Sequence, residues 1–538
     1  MTFASHQPSA FAPLRERAFL ILWLATVAGN TGTWMRDTAS GWLMTSLSPS
    51  PTLVALVQAA TTLPVFLLAL PAGALADIVD RRRLMITIQI ALAMISTLLC
   101  LLTWRNGMTP EILLALTFCG GIGAALIAPA WQSIVPQLVP RPLLRPAVAL
   151  NSLGVNIARA IGPAIAGVLI ATLGIAATYL VDVFSYLLII AALYWWRPAP
   201  VAVRDPEHIV DAMKSGLRFS LFHHDLQRVL LRAFLFFIAG SCYWALLPLI
   251  VRQQLNGDAT VYGLAMAAIG AGAITGALLL PRLKHRLSAN ATVLAGALLT
   301  AAVMAGLAVA SSPAQGIALL LMAGAAWIAV LTTLNATAQS VLPDWVRGRG
   351  LALYLTVFFG AMTLGSACWG QLASLHGIPV TLAVAAAATA SIGLLAHRWQ
   401  LPSGDRDLTP SLHWPEPAIA DDVDATGGPV MIRISYRVSA ADQAAFLEAI
   451  RPLGRIRRRD GAYAWGVMFD MAHPEHVMEW FLLGSWEEHL RQHERVSQAD
   501  REVQARVHAL HHGHDKPVVE HWMALSPENS AYDATMRH

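Results

Sequence analysis

Gly73-Ala-Leu-Ala-Asp-Ile-Val-Asp-Arg-Arg-Arg-Leu84 joins two apolar runs, 52–76 and 84–104. Each run holds the roughly 20 apolar residues that a helix needs to cross the hydrocarbon core of a bilayer. Three consecutive arginines are too costly to place in lipid, so the stretch reads as a short polar loop tying two membrane spans. Ten further runs extend the pattern on both sides, at 18–46, 111–137, 147–172, 175–196, 229–250, 261–281, 290–310, 315–342, 350–374 and 378–399. The twelve spans read as helices because lipid offers the backbone no hydrogen-bond partner and the alternation of barrel strands is absent. Of the 538 residues, 56% are hydrophobic and 13% charged. A soluble domain carries about 25% charged residues, so this chain lacks the polar surface to cover itself in water.

The basic residues give a topology. Alternate loops carry Arg81, Arg82 and Arg83, then Arg141 and Arg145, then Arg197, Arg204, Lys214, Arg218 and Arg228, then Arg282, Lys284 and Arg286, then Arg347 and Arg349. The opposite loops carry Arg105 and Arg252. Positive loops stay on the cytoplasmic side, so both termini are expected inside. This clustering accounts for a pI near 9.0 without a nucleic-acid face, and no nucleic acid is expected as a partner. Residues 1–17 show no cleavable signal, so the first span is expected to be retained. Cys100, Cys119, Cys242 and Cys368 all lie in apolar segments without metal-ligand spacing and read as small packing residues.

The chain also repeats itself. Gly276-Ala-Leu-Leu-Leu-Pro-Arg-Leu-Lys-His-Arg-Leu287 matches the opening stretch 203 residues on, and Gln132-Ser-Ile-Val-Pro136 matches Gln339-Ser-Val-Leu-Pro343 at an offset of 207. Two matches at nearly one offset argue for a duplicated six-helix unit, with the substrate site expected between the halves. The expected organisation is a cytoplasmic N-terminus 1–17, six-helix halves at 18–196 and 229–399, and a connecting loop 197–228 with an amphipathic stretch near Val210–Leu221. A linker 400–428, a soluble domain 429–526 and a tail 527–538 follow.

Gly73-x-Leu-Ala-Asp77-x-x-x-Arg81-Arg82 resembles the signature loop of the major facilitator superfamily, with Asp80 at the usual second glycine and Ile78 where a basic residue is often found. Trp34-Met35, Gly41-Trp42-Leu43, Pro129-Ala-Trp-Gln132, Val148-Ala-Leu-Asn151-Ser, Asn156-Ile-Ala-Arg159-Ala-Ile-Gly162-Pro163 and Arg232-Ala-Phe-Leu-Phe-Phe resemble its transmembrane secretion effector branch, similar to the enterobactin exporters. The resemblance covers 15–400 and implies export of siderophores, drugs or other secondary metabolites. It implies that Asp77, with Gly73, Arg81 and Arg82, gates the cytoplasmic ends, an ion pair made in one state and broken in the other. Leu280 replaces the aspartate in the second copy, so the latch is one-sided. Gly162, Pro163 and Gly167 are similar to an antiporter motif, with Ala166 departing from it. Close helix packing is the alternative reading. Gly121-Ile-Gly123-Ala-Ala125 resembles a further motif whose proton-linked arginine is Thr117 here.

Charges within the spans are expensive and need a partner or a task. Arg36 and Asp37 in the first span, Arg159 in the fifth and Asp182 in the sixth are the candidates, and proton coupling points to Asp37 or Asp182 as the carrier. A static ion pair is the alternative. Asn30, Asn151, Asn156, Asn335 and Gln339 are candidates to line the cavity. Trp34, Trp42, Trp244 and Trp327 are candidates to stack on substrate or to anchor at the interface.

Beyond the linker the pattern becomes that of a soluble protein. Strands are expected at Val430–Val438, Ala462–Phe469, His476–Leu483 and Pro517–Leu525. Helices are expected at Ala440–Arg451 and, as one long element, Ser485–His508, with Ser485 and Glu488 forming a capping box. The order βαββαβ is ferredoxin-like and is similar to dimeric α+β barrel domains related to antibiotic-biosynthesis monooxygenases. A dimerisation or regulatory role is expected, with a homodimer through this domain. His511, His512 and His514 beside Asp515 read as a loop, so no metal and no cofactor is expected.

The fold class expected is an all-α polytopic membrane protein of twelve helices in two six-helix halves, with a C-terminal α+β ferredoxin-like domain. The function expected is proton-coupled export of a hydrophobic small molecule across the plasma membrane, with substrate, lipid and protons as partners. Uptake of a nutrient, and a membrane-anchored enzyme or sensor working through the soluble domain, are the alternatives. ATP-driven pumping is not expected, because no GxxxxGK[ST] loop is present.

Overall fold

The computed structural model describes residues 9, 11–197, 209–402, 406–411, 413–414, 427–513 and 515–524. The remaining N-terminal residues, most of the expected linker, the tail and His514 lie outside the described residues, as do the side chains of Gly73 and Asp77 within their helix. The chain divides into two compact units.

The first unit comprises Met1–Pro206, Val229–Ala336 and Ala352–Leu401. Its N-terminal half holds α1 (Arg17–Leu47), α2 (Pro51–Ile78), α3 (Arg81–Trp104), α4 (Pro110–Leu138), α5 (Leu144–Leu173) and α6 (Ile175–Trp195). After α7 (Ile209–Phe222) come α8 (His224–Leu249), α9 (Ala259–Lys284), α10 (Ala289–Val309), α11 (Pro313–Ser340), α12 (Arg347–His376) and α13 (Ile378–Ala396). Twelve helices among the described residues are long and apolar enough to cross a membrane. Their starts follow local chemistry. Asp80, the residue at the usual glycine position, is the N-cap of α3, its carboxylate accepting from Arg83 N at 2.7 Å. Asp258 and Ser288 cap α9 and α10 in the same way, satisfying amides that have no partner within the helix.

The repeat is visible in the backbone. Gly174 (φ 87°) turns the chain from α5 into α6, and Gly377 (φ 81°) turns it from α12 into α13. These left-handed positions suit glycine and lie 203 residues apart, the offset of the two quoted loops. Within the first half, α1 packs on α5 and α6, α2 on α4, and α3 on α6, while α10 packs on α13 in the second.

The halves meet through α5 and α9, and through α2 and α12. A Cβ on Gly167 would lie 2.8 Å from Ala259 O and 2.9 Å from Gly263 Cα, so only bare backbone fits there. Trp42 stacks on Tyr262 (centroids 5.6 Å), Arg252 donates to Thr45 and Ser46 at 2.8 Å, and Thr62 bonds Thr363 at 2.7 Å. Trp42, Thr45, Ser46, Arg252 and Tyr262 sit near the ends of their helices remote from the chain's N-terminus, and Thr62 and Thr363 near the middle of theirs.

The second unit comprises Glu207–Arg228, Thr337–Leu351 and Pro402–His538. Its sheet contains β1 (Val430–Arg437), β2 (Ala464–Phe469), β3 (His476–Leu483) and β4 (Val518–Met523) in the order β2-β3-β1-β4, all antiparallel. With α14 (Gln443–Arg459), α15 (Trp486–Arg495) and α16 (Gln498–His508), this is the ferredoxin-like arrangement. Val430, Ile432, Ile434 and Tyr436 of β1 point inward to Phe446, Ile450, Leu453 and Phe481, as the period of two requires.

Three local expectations are corrected. The first helix runs past 451 to Arg459, through Pro452, because Ile450, Leu453, Gly454 and Arg457 keep facing the sheet. The long helix expected over 485–508 is two helices. Ser497 caps the second, and its reciprocal bonds with Asp500 form the box expected at Ser485 and Glu488. Glu488 accepts instead from Gly484 N at 3.3 Å and receives Arg218.

The unit also takes in α7 and the turn between α11 and α12. Arg218 donates to Glu488 Oε1 at 2.7 Å and to Gly461 O at 2.6 Å. Phe219 meets Trp345 edge-on at 5.7 Å, while Arg459 lies over Phe219 and Arg495 over Trp345.

Candidate functional site

The charges predicted to need partners meet on α1 and α6. Arg36 reaches Asp37 Oδ1 from Nη2 at 3.0 Å and from Nε at 3.2 Å. Its Nη1 donates to Tyr186 OH at 2.8 Å and lies 3.9 Å from Asp182 Oδ2. Ser96 of α3 donates to Asp182 Oδ2 at 2.6 Å. Asp182 has no exposed side-chain surface, Arg36 is 6% exposed and Asp37 is 29% exposed. One guanidinium therefore serves a sealed and an accessible carboxylate.

Small residues let the helices close around these groups. Gly32 on α1 abuts Asp182 and Ser185, where a Cβ would stand 2.7 Å from Asp182 Oδ1. Gly120 of α4 lies against the guanidinium, where a Cβ would meet it at 3.5 Å. Thr33 lies 3.2 Å from Tyr186 OH and Ser40 3.1 Å from Tyr179 OH. The sequence reading missed both tyrosines. The signal was available: Tyr179, Asp182 and Tyr186 fall three and four residues apart, one face of a helix.

The fourth charge does not join. Arg159 of α5 lies over the Trp34 ring at 5.4 Å, with its Nε buried and unpartnered. Trp34 is also the side chain that Gly162 accommodates, since a Cβ there would be 2.8 Å from Trp34 Cβ. Gly162 thus serves packing within one half and Gly167 packing between the halves. Asn156 donates to Ser152 O and Asn151 accepts from Trp131. Asn30 lies half-buried on α1, and Asn335 and Gln339 lie on α11. Trp42 packs between Tyr262 and Arg252. Trp327 is buried among Phe236, Phe237, Tyr243, Trp244 and Phe358, so in this conformation its face is taken by protein. Arg82 donates to Leu193 O at 2.7 Å and Tyr194 O at 3.0 Å, a cation on the carbonyl end of α6 where the helix dipole favours it.

In the second unit, His511 Nδ1 accepts from Arg437 N, and His512 lies 2.7 Å from Asp442. These contacts tie a loop down. Arg457 and Glu479 form a buried pair at 3.2 Å that Tyr436 and Trp465 complete.

A family model described as "Transmembrane secretion effector" matches residues 8–529. The chain belongs to the transmembrane secretion effector family. That match spans both units. Among relatives of this effector-family chain, the staphyloferrin A transporter of Staphylococcus aureus is 25% identical over 368 residues, covering 68% of this chain and 91% of the relative. The multidrug efflux pump Tap of Mycobacterium tuberculosis is 26% identical over 411 residues, covering 74% and 96%. A solved bacterial homologue of the human lysosomal transporter Spinster, inward-facing and unoccupied, superposes with a TM-score of 0.57 at 15% identity, covering 72% of this chain and 97% of that one. A POT family peptide transporter superposes at 0.59 and 13% identity. These two show the major facilitator fold. The effector-family chain is a multi-pass membrane protein and a secondary transporter that exports small molecules.

Proposed function

We propose that this transporter moves a hydrophobic siderophore, drug or other secondary metabolite out of the cytoplasm in exchange for protons, with both termini and the second unit on the cytoplasmic side. The observation that carries the coupling is the single guanidinium of Arg36 between accessible Asp37 and sealed Asp182. A proton taken by Asp37 removes its negative charge and frees Arg36 to pair with Asp182. Loss of that proton draws Arg36 back. A conformational equilibrium that exposes Asp37 alternately to the two sides then carries protons inward.

The direction rests on the efflux activity of the Tap relative and on the basic loops, which the positive-inside rule places in the cytoplasm. On that orientation, the contacts between Trp42 and Tyr262 and between Gly167 and Gly263 lie on the outer side and are proposed to close it. Asp77, Gly73, Arg81 and Arg82 are proposed to close the cytoplasmic side in the opposite state. Gly162, Pro163 and Gly167 set the helix contacts that change between states, and Asn30, Asn156, Trp34, Asn335 and Gln339 are proposed to line the path.

The soluble domain is proposed to pair two chains. Its outward sheet face carries Met431, Met468, Met478, Trp480, Leu482, Val518 and Trp522 around the Arg433–Glu520 ion pair, and an apolar surface with polar groups of that kind is proposed as the interaction site.

The test is efflux from preloaded cells with a panel of siderophores and lipophilic cationic dyes, with and without a protonophore. Wild type, Asp37→Asn and Asp182→Asn are compared. Protonophore-sensitive efflux lost in one variant supports the reading. Efflux unchanged by both substitutions makes the aspartates structural, and accumulation instead of depletion reverses the direction.

A further inference from the structure

Arg159 carries a charge that the export reading leaves without a task. It stands near the middle of α5, and Trp34, whose ring it covers at 5.4 Å, stands near the middle of α1. A charge at that depth is costly and needs a partner or a task. Among the described residues the guanidinium makes no ion pair and no hydrogen bond, and its Nε is buried.

No carboxylate is placed to answer it. Helices α8–α13 carry one Asp or Glu, Asp225 in the first turn of α8. In the first half, Asp37 and Asp182 share Arg36. Glu111 opens α4 and Asp77 falls in the last turn of α2, both at helix ends. The Trp34 face attracts the cation but offers no oxygen to the N–H donors of a guanidinium.

The surroundings of Arg159 are those of a binding recess. Ser152, Asn156, Arg159 and Pro163 follow at three- and four-residue spacing, one face of α5. Along that face the side chains pass from exposed at Ser152, through half-buried at Asn156 and Arg159, to buried at Pro163. Ile161, Ile165 and Val168 on the opposite face are exposed and suit lipid. Ala160 and Pro163 lie against α9, where a Cβ on Gly270 would stand 2.8 Å from Ala160 Cα and one on Gly263 2.6 Å from Pro163 O. Arg159 therefore projects where α1, α5 and α9 converge, between the two halves, at the deep end of a face open toward Leu144. Half-buried Asn30 lies one turn from Trp34 on α1.

We propose that Arg159, over the Trp34 ring, is the recognition point for a negative charge on the exported molecule, an organic anion with a carboxylate beside a flat apolar ring system. The proposal rests on the export reading and names the substrate class for it. The planar guanidinium fork matches a carboxylate through two parallel bonds, and the indole gives the apolar part a surface to stack on. The same charge repels a lipophilic cation, so the path selects by sign.

The experiment reconstitutes the full-length protein in lipid vesicles under an imposed proton gradient. It follows three probes that share one ring system: pyrenebutyrate, pyrenebutanol and pyrenebutylamine. Wild type should half-saturate with the anion at a concentration at least about tenfold below that for the alcohol, as charge-assisted hydrogen bonds require, and should move the amine least. Arg159→Gln should erase that preference, and Arg159→Lys, which keeps the charge without the fork, should restore part of it. Arg159→Gln should also melt no lower than wild type in detergent, because it removes a charge that has no partner. A merely structural arginine gives the reverse, a lower melting temperature with the preference intact. If the variants fail to fold, the preference of wild type decides. If the pyrenes are not carried, the same comparison is made among the siderophores and dyes that are, anions against cations. Equal handling of anion and cation by wild type, or a preference that Arg159→Gln preserves, overturns the proposal and leaves export standing. Transport of none of these compounds removes the export reading and the proposal with it.

Discussion

Arg36 has more donors than any single carboxylate uses, and its neighbours divide them unequally. Asp37 holds the guanidinium at 3.0 Å and Asp182 stands back at 3.9 Å, so a small shift exchanges the two partners. Tyr186 steadies that choice by accepting from Nη1. Tyr186→Phe is expected to cost about 1.5–3 kcal/mol, the range for a hydrogen bond to a charged group. Detergent-extracted protein should unfold at lower temperature, and efflux should fall without being abolished. A melting point equal to wild type would mean that solvent replaces the hydroxyl. Gly32→Ala attacks the same cluster by bulk. Its methyl would meet Asp182 Oδ1 and Ser185, and overpacking of this kind costs about 1–3 kcal/mol. Transport should drop more than folding does, because the displaced atoms are the charged ones. The four charges were legible in the sequence, since ionisable residues stand out in apolar helices. Which three of them met was not, because α1 and α6 are brought together by tertiary packing.

Between α15 and α16 the charge pattern runs on without interruption, and the sequence reading accordingly took one helix. The break comes from elsewhere. Ser411 N donates to Val496 O at 2.9 Å and Gln498 N to Thr409 O at 3.0 Å, so residues 409–411 pair with 496–498 and hold them extended. No local propensity encodes that contact, whereas the twelve spans, set by length and apolar content alone, were legible throughout. Ser497→Ala is expected to destabilise this region by about 1 kcal/mol, the usual value of a cap. Asp500→Ala should cost more, about 1.5–3 kcal/mol, because Asp500 also holds buried Arg459 through two bonds of 3.0 and 2.7 Å while Asp460 keeps the guanidinium paired. Urea unfolding followed by tryptophan fluorescence ranks the two, and equal losses would mean that the Arg459 pair adds nothing. Among the spans, Gly263→Leu is expected to force α9 away from α5, where Gly167 leaves room only for backbone. On the proposed orientation, a cysteine placed at buried Thr45, near the end of α1, should then react with an impermeant thiol reagent faster than in wild type. Unchanged labelling would show that this contact does not seal that side.

At the scale of the whole molecule, the second unit gathers three separate parts of the chain, and the first of them is expected to respond to acid. His223 stacks on Phe219 at 4.9 Å. Burial first, and the charge of Arg459 second, push its pKa down to about 4, against the opposing pull of Asp225 and Asp500 and with a further push from Arg406. A histidine depressed in the folded state binds its proton more readily when unfolded. The stability it contributes is complete above the ordinary value near 6.5 and declines as pH falls from there toward 4. Hydrogen exchange at pH 7 and at pH 5, corrected for intrinsic rates, should show α7 opening more often at the lower pH in wild type. His223→Phe should remove most of the difference, and a difference that survives would place the sensitivity elsewhere. The composition of this unit also fixes an order of events in synthesis. Arg218, Phe219 and Trp345 leave the ribosome well before Gly461, Glu488 and Arg495, the groups that cover them. Every nascent chain therefore passes through an interval in which its spans are complete while an aromatic pair and a lone arginine still await their cover. A stop codon between the last span and Arg459 makes that interval permanent, and gives the cell's quality-control proteases a bare aromatic surface by which to tell an unfinished transporter from a finished one.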